Sequence, residues 1–354
     1  MLPKGPRETV RGRQRVTIAQ STETATERRD RRRPRDVGET LAAIDLGTNN
    51  CRLLIARPQG DGFRVIDAYS RIVRLGEGLS KTGMLSEAAM DRTVAALRIC
   101  ARKMKHRRVT RARSVATEAC RRAGNCESFL ARVRAETGIE IEIISSDVEA
   151  ELAFRGCAPL LRADKSRAVV FDIGGGSTEI GWLTVEGQGQ LTLVDCISLP
   201  VGVVNLAERH DRAPVAPDVY EALTAEVADM LAPFEARNRI NAAVRDGIVQ
   251  MLGTSGTVTT LTGIHLKLPR YDRSQVDGRY LAFDAIDGIN RELATLDWNG
   301  RAATPCIGPE RADLVVAGCI ILSAICRLWP VGELRVADRG LREGILTELV
   351  GSLR

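Results

Sequence analysis

Two aspartates each close an apolar run and are followed at once by a turn of small residues. Asp45 lies in LAAIDLGTNNCRLLIA and Asp172 in AVVFDIGGGSTEIGWL, 127 positions apart. Both stretches read as strand, Asp, apolar residue, Gly, polar turn, strand. A dinucleotide fingerprint needs a helix directly after its glycines, and a P-loop needs Gly-Lys-Ser/Thr. Strands follow here and the lysine is missing, so neither reading holds. What remains is a hairpin with a nearly bare tip, where successive N–H groups can form an anion-binding concavity. Gly47, Thr48 and Asn49 in one turn, and Gly174, Gly175, Gly176, Ser177 and Thr178 in the other, are therefore phosphate-binding candidates. A carboxylate beside such a concavity repels phosphate unless a cation stands between them. Asp45, Asp172 and Glu179 thus read as ligands for a hard, oxygen-loving ion such as Mg²⁺.

Three further stretches carry polar chemistry. Thr254, Ser255, Gly256 and Thr257 leave an apolar strand and open a helix, whose first amides favour an anion; a plain helix cap at Thr254 or Ser255 accounts for the same residues. Glu149 and Glu151 stand at the start of a helix capped by Ser146 or Asp147. At i and i+2 they point to different faces, and acids suit any helix start, so spacing alone favours an ordinary first turn. Arg121 follows a strand end in ATEACRRA, where it could grip a phosphate bidentately or lie on the surface. The stretch from Arg98 to Arg113 holds nine basic residues, His106 included, and no acid. It reads first as a solvated helix end and second as a track for a long polyanion.

The elements that must position these residues repeat. From Leu41 the order is three strands, helix, strand, helix, strand, helix; from Ala168 the same plan restarts. Residues 40–165 and 166–354 are expected to be two similar α/β domains flanking a cleft, with the last helix able to pack back on the first domain. Residues 1–39 hold eleven Lys/Arg and six Asp/Glu, a net +5 of the chain's +6. They read as a disordered Arg-rich tail, more simply inert than a basic arm. The remaining 315 residues are nearly neutral, and aromatics make up 4% of the chain, which speaks against specific nucleic-acid binding.

Nine cysteines without a C-x-x-C pair, and three histidines, argue against zinc. The thiols read as buried and reduced in a cytoplasmic protein. No signal peptide is visible. The longest uncharged run, thirteen residues between Asp313 and Arg327, is too short to cross a bilayer, so no membrane partner is expected.

Taken together, Asp45-Leu-Gly-Thr-Asn49, Ile144-Ser-Ser-Asp-Val-Glu149-Ala150, Asp172-Ile-Gly-Gly-Gly-Ser-Thr-Glu179, Gly253-Thr-Ser-Gly-Thr257 and Asp338-Arg-Gly-Leu-Arg-Glu-Gly344 resemble the exopolyphosphatase/guanosine pentaphosphate phosphatase (Ppx/GppA) family. The five motifs stand in family order from about residue 41 onward. The resemblance implies an actin-like, ribonuclease-H-type fold and Mg²⁺-dependent hydrolysis of a terminal phosphoanhydride, with a monovalent cation such as K⁺ as a further candidate. It implies that Glu149 activates the water, that Asp172 and Glu179 lie at the metal and phosphate site, and that Arg121 contacts phosphate. Longer members carry a helical C-terminal domain that holds long chains and dimerises. Its lack here points to short polyphosphate or guanosine pentaphosphate and leaves a homodimer open. A phosphotransferase or ATPase on the same fold, and a non-catalytic sensor of polyphosphate or alarmone, are the alternatives.

Overall fold

The computed structural model describes residues 17–18, 38–186, 191–209 and 213–353. Apart from Thr17 and Ile18, the stretch 1–37 lies outside them, and so does most of the expected tail.

Among the described residues, twelve strands form two sheets: β1 (Thr17–Ile18), β2 (Leu41–Leu46), β3 (Asn50–Gln59), β4 (Gly62–Ile72), β5 (Arg111–Ala116), β6 (Glu142–Ile143), β7 (Arg167–Ile173), β8 (Thr178–Val185), β9 (Leu191–Leu199), β10 (Val249–Thr254), β11 (Tyr280–Ala282) and β12 (Glu333–Ala337). The first sheet runs β4-β3-β2-β5-β6 and the second β1-β9-β8-β7-β10-β12-β11. In each, an antiparallel meander of three strands is followed by two parallel strands. This is the actin-like, ribonuclease-H-type plan, present twice. The second copy is widened at its edges by β11 and by the two tail residues of β1, which pair with Thr192 and Leu191 of β9.

Local rules explain the framework. The meander turn after β3 spans two residues, and Gly60 takes φ +59°, as a tight hairpin requires. Ser86 caps the helix Glu87–His106, its hydroxyl accepting the Ala89 amide at 3.3 Å. The cap of the glutamate-bearing helix Ser146–Cys157 is one residue earlier than its sequence suggests: Ser145 accepts the Val148 amide at 3.3 Å. The stretch IEIEIIS yields only the two-residue strand β6. The long uncharged run forms the helix Val315–Leu328, buried from Val315 to Cys326. All nine thiols are free, seven of them buried.

Two helices sit between the sheets. Ala150, Ala153, Phe154 and Cys157 of Ser146–Cys157 join the core of the second sheet through Val170 and Leu183. Leu341, Ile345 and Val350 of the C-terminal helix Leu341–Gly351 join that of the first sheet through Leu41, Leu54 and Val115. These helices touch through glycines. A Cβ on Gly344 would stand 1.9 Å from the Leu152 carbonyl oxygen, and one on Gly156 would stand 2.0 Å from that of Gly340.

The basic stretch is spent elsewhere. Lys103 and Arg107 hold Asp67, each at 2.8 Å. Arg98 holds Glu136, and Arg113 holds Glu142 and Glu348. Arg111 begins β5, whose other end, Ala116, lies beside Leu46 at the Asp45 turn. The stretch thus lies at the far end of the strands from that turn. These ion pairs account for four of its nine basic residues and fit the solvated-face reading.

Gly344→Ala and Gly156→Ala each drive a methyl into backbone that cannot rotate away. Each is expected to lower stability by about 3 kcal/mol, read as a shift of the urea midpoint. An unchanged midpoint would refute this close crossing.

Candidate active site

The two Asp-Gly hairpins have matching geometry. In the first, the Gly47 amide donates to the Asn50 carbonyl at 2.9 Å; in the second, the Gly174 amide donates to the Ser177 carbonyl at 2.9 Å. Asp45 pairs in register with Arg52, and Asp172 with Glu179. Both turns line one cleft, together with Thr117, Glu149, Ser255, Gly256, Thr257 and Arg311.

The second turn is held from behind. Val203 and Val204, which open the short helix Val203–Ala207, donate their amides to the carbonyls of Gly174 (3.0 Å) and Gly175 (2.7 Å). The Asn205 amide group donates to the Gly176 carbonyl at 2.9 Å. All described peptides are trans, so each carbonyl and the next amide point opposite ways. With three carbonyls facing this helix, the amides of Gly175, Gly176 and Ser177 face away from it, and all three residues line the cleft. The bare tip also serves a second need. A Cβ on Gly175 would meet Thr48 Cβ at 2.9 Å, and one on Gly176 would meet Thr48 Oγ1 at 2.8 Å. The glycines let the first turn touch the second.

At the end of β10, Ser255 caps the helix Gly256–His265, accepting the Val258 amide at 3.0 Å. Thr254 turns away and donates to the Arg339 carbonyl at 2.8 Å. Thr178 likewise donates to the Val201 carbonyl at 2.7 Å. Glu179 lies behind the cleft wall, 2% exposed, where Ser198 donates to it at 2.9 Å. Glu149 lines the cleft, whereas Glu151 turns aside to Arg155 at 2.6 Å. Arg121 is turned toward protein carboxylates: its Nη1 donates to Glu149 Oε2 at 2.7 Å and to the Ile144 carbonyl at 2.9 Å.

Four acids gather at the cleft and behind its wall, Glu179 buried and Asp45, Glu149 and Asp172 partly buried, and burial is the first cause of the upward shift in each. Asp172 is pushed up to about 7, with Glu179 and Asp45 adding to burial and Arg52 opposing. Glu149 is raised by burial and then by Glu179, against Arg121. Asp45 is raised against Arg52 and Arg342. Glu179 is raised despite hydrogen bonds from Ser177 and Ser198. Positive charge also gathers here. Burial lowers Arg311 and Arg342, and Arg52 repels both. Acids and arginines crowded into one cleft suit a polyanion carrying its own cation. Among the described residues, no three His, Cys, Asp or Glu side chains converge as a metal cage. Yet the donors are all oxygen, and Asn49 Oδ1 is buried without a hydrogen-bond partner. That fits an ion held by one or two carboxylates and by the phosphates of its ligand.

Arg52 and Arg311 are the site residues that motif reading missed. Arg52 had a signal: it follows Asp45 by seven positions, as Glu179 follows Asp172. Arg311 lies in GPERADL, between helices, with no pattern to mark it.

The profile of the Ppx/GppA phosphatase family matches residues 54–353. The chain is 32% identical over 332 residues to exopolyphosphatase 2 of Mycobacterium tuberculosis, covering 88% of this chain and 98% of that protein. A crystal structure of an exopolyphosphatase-like protein superimposes with a TM-score of 0.81 at 28% identity, covering 89% of this chain and 98% of the other. The Aquifex aeolicus member of the Ppx/GppA family gives 0.74 at 29% identity, covering 89% and 99%.

The acids set an expected pH dependence of stability. The folded Asp172 holds a proton up to about pH 7 that the unfolded chain releases near 3.8. Its contribution is complete below about 4 and disappears as pH rises through about 7. Asp67, held at about 2 by Lys103 and Arg107, contributes above about 4 and loses that as pH falls through about 2. Thermal unfolding with a chelator present should therefore peak near pH 4–5 and decline toward about pH 8. A melting temperature that rises from pH 5 to 8 would contradict the buried acids.

Proposed function

The chain belongs to the Ppx/GppA phosphatase family, and on that premise we propose that it hydrolyses the terminal phosphoanhydride of a linear phosphate chain and releases orthophosphate. The substrate class is inorganic polyphosphate or the triphosphate end of guanosine pentaphosphate. The observation that carries this reading is the placement of Glu149, a partly buried carboxylate that lines the same cleft as both Asp-Gly turns, Arg52 and Arg311.

In this reading the terminal phosphoryl group lies between the two turns. The amides of Gly175, Gly176 and Ser177, with Thr48 and Asn49 opposite, bind its oxygens. Ser255, Gly256 and Thr257 receive the next phosphate at the helix start. Arg52 and Arg311 face the rest of the chain. Asp172 and Asp45 would hold Mg²⁺, with Glu179 behind them, and the ion supplies charge neutralisation on the phosphoryl oxygens. Arg121 occupies Glu149 Oε2, so Oε1 accepts the proton of the attacking water. The water oxygen bonds to the terminal phosphorus. The anhydride P–O bond breaks, and its electron pair leaves with the bridging oxygen on the shortened chain. The protein thereby contributes position and a proton acceptor, which is most of what phosphoryl transfer requires. Among the described residues, no helix is long and apolar enough to cross a membrane.

Glu149→Gln keeps an oxygen for Arg121 and removes the proton acceptor. It should lower kcat by about 10²–10⁴-fold with KM little changed; near wild-type turnover would refute Glu149 as the base. The reaction itself is tested by phosphate release from the purified protein with Mg²⁺, comparing guanosine pentaphosphate with polyphosphates of several lengths. Release that stops with a chelator is expected. No release from either substrate class would reject the activity.

A further inference from the structure

Arg121 has five N–H donors, and four are committed within the protein. Besides the two Nη1 bonds to Glu149 and Ile144, Nε and Nη2 both donate to Glu118 Oε2, at 3.2 and 2.9 Å. Glu118, Arg121 and Glu149 have side chains only 15%, 17% and 14% exposed. Arg122 adds a longer contact to the other Glu118 oxygen at 3.9 Å. The segment is fixed to the first sheet through the Thr117 amide, which donates to the Leu46 carbonyl at 3.2 Å. Glu118 also reaches the second half of the molecule: a Cβ on Gly176 would stand 3.0 Å from its Cγ. One carboxylate thus fixes the guanidinium that fixes Glu149, at the seam where the Gly-rich turn meets the first half.

We propose that Glu118 is a positioning residue for hydrolysis: it holds Arg121 on Glu149, so that the Glu149 carboxylate keeps one oxygen bound and presents the other to the water. The inference rests on the reading of Glu149 as the base. Glu118 does not line the cleft in which substrate would lie, so it acts on the chemical step through Arg121 and leaves binding alone. Without Glu118 the guanidinium keeps its bonds to Glu149 and Ile144 but loses both bonds that fix its plane. Glu149 then samples orientations that miss the water.

The test is phosphate release with Mg²⁺ by wild type, Glu118→Ala, Glu118→Gln, Glu149→Gln and the Glu118→Ala/Glu149→Gln double variant. Single turnovers at excess enzyme resolve the slow ones, and melting temperatures control for folding. Glu118→Ala should lower kcat by about tenfold with KM within about twofold of wild type. Glu118→Gln, which keeps an oxygen acceptor for Arg121, should fall between it and wild type. In the Glu149→Gln background, Glu118→Ala should have no further effect, because the carboxylate it positions is gone. The proposal is overturned if Glu118→Ala turns over like wild type, if the loss appears in KM, or if the two losses multiply in the double variant. A wild type that releases no phosphate overturns the underlying reaction as well, and so is told apart from a failure of Glu118 alone.

Discussion

The two halves of the molecule meet backbone against backbone, and the cleft depends on that contact. Gly156 and Gly344 let the two interposed helices touch without side chains between them. Near the cleft, a Cβ on Gly202 would stand 2.5 Å from the Gly175 carbonyl, while Thr48 presses on Gly175 from the opposite side. The second Asp-Gly turn is therefore one layer of a three-layer stack. Its thinness brings Asp45 close enough for its charge to help raise Asp172. A single methyl in this stack separates the halves before it touches any ligand.

That proximity is electrostatically unfavourable by itself. Glu179 and Asp45 each raise the proton affinity of Glu149 and of Asp172, and Arg52 repels Arg311 and Arg342. Burial without full pairing is costly, so the fold carries this arrangement because the stacked glycines and the two helices over-determine it. The two charge signs ask for complementary occupants: a cation among the acids and an anion among the arginines. Hydrolysis of a phosphoanhydride brings both, since the substrate's oxygens and their metal ion arrive together.

Much of this was legible in the sequence because it was written twice. The offset of 127 between Asp45 and Asp172 foretells two sheets with one strand order, and the turn closures at Gly47 and Gly174 obey the same offset. Other features escaped for physical reasons. Whether the glycines of the second turn serve a ligand or a neighbouring backbone cannot be decided locally, because Thr48 arrives from a distant segment. Thr178 and Thr254 look like phosphate donors by spacing, yet carbonyls of Val201 and Arg339 capture their hydroxyls. Arg311 reaches the cleft from a stretch with no periodicity. Glu149 looked like an ordinary acid of a first helical turn. Its distinction is burial, which depends on how the helix packs rather than on its own neighbours in sequence.

The placement of Glu149 also shows why the helix Ser146–Cys157 crosses to the second sheet. Its Ala150, Ala153, Phe154 and Cys157 pack there, with Phe154 against the bare face of Gly181. Arg121, which holds the Glu149 carboxylate at 2.7 Å, is anchored on the first sheet through Thr117 and Leu46. Ile144, just ahead of that helix, donates its amide to the Ala116 carbonyl of the first sheet at 3.1 Å and accepts from Arg121 at 2.9 Å. The start of the helix, the guanidinium and the Glu149 carboxylate are thus fixed together on the first half, while the apolar face of the same helix closes the core of the second. Cores so close-packed transmit strain rather than absorb it, so the position of Glu149 in the cleft depends on both halves at once.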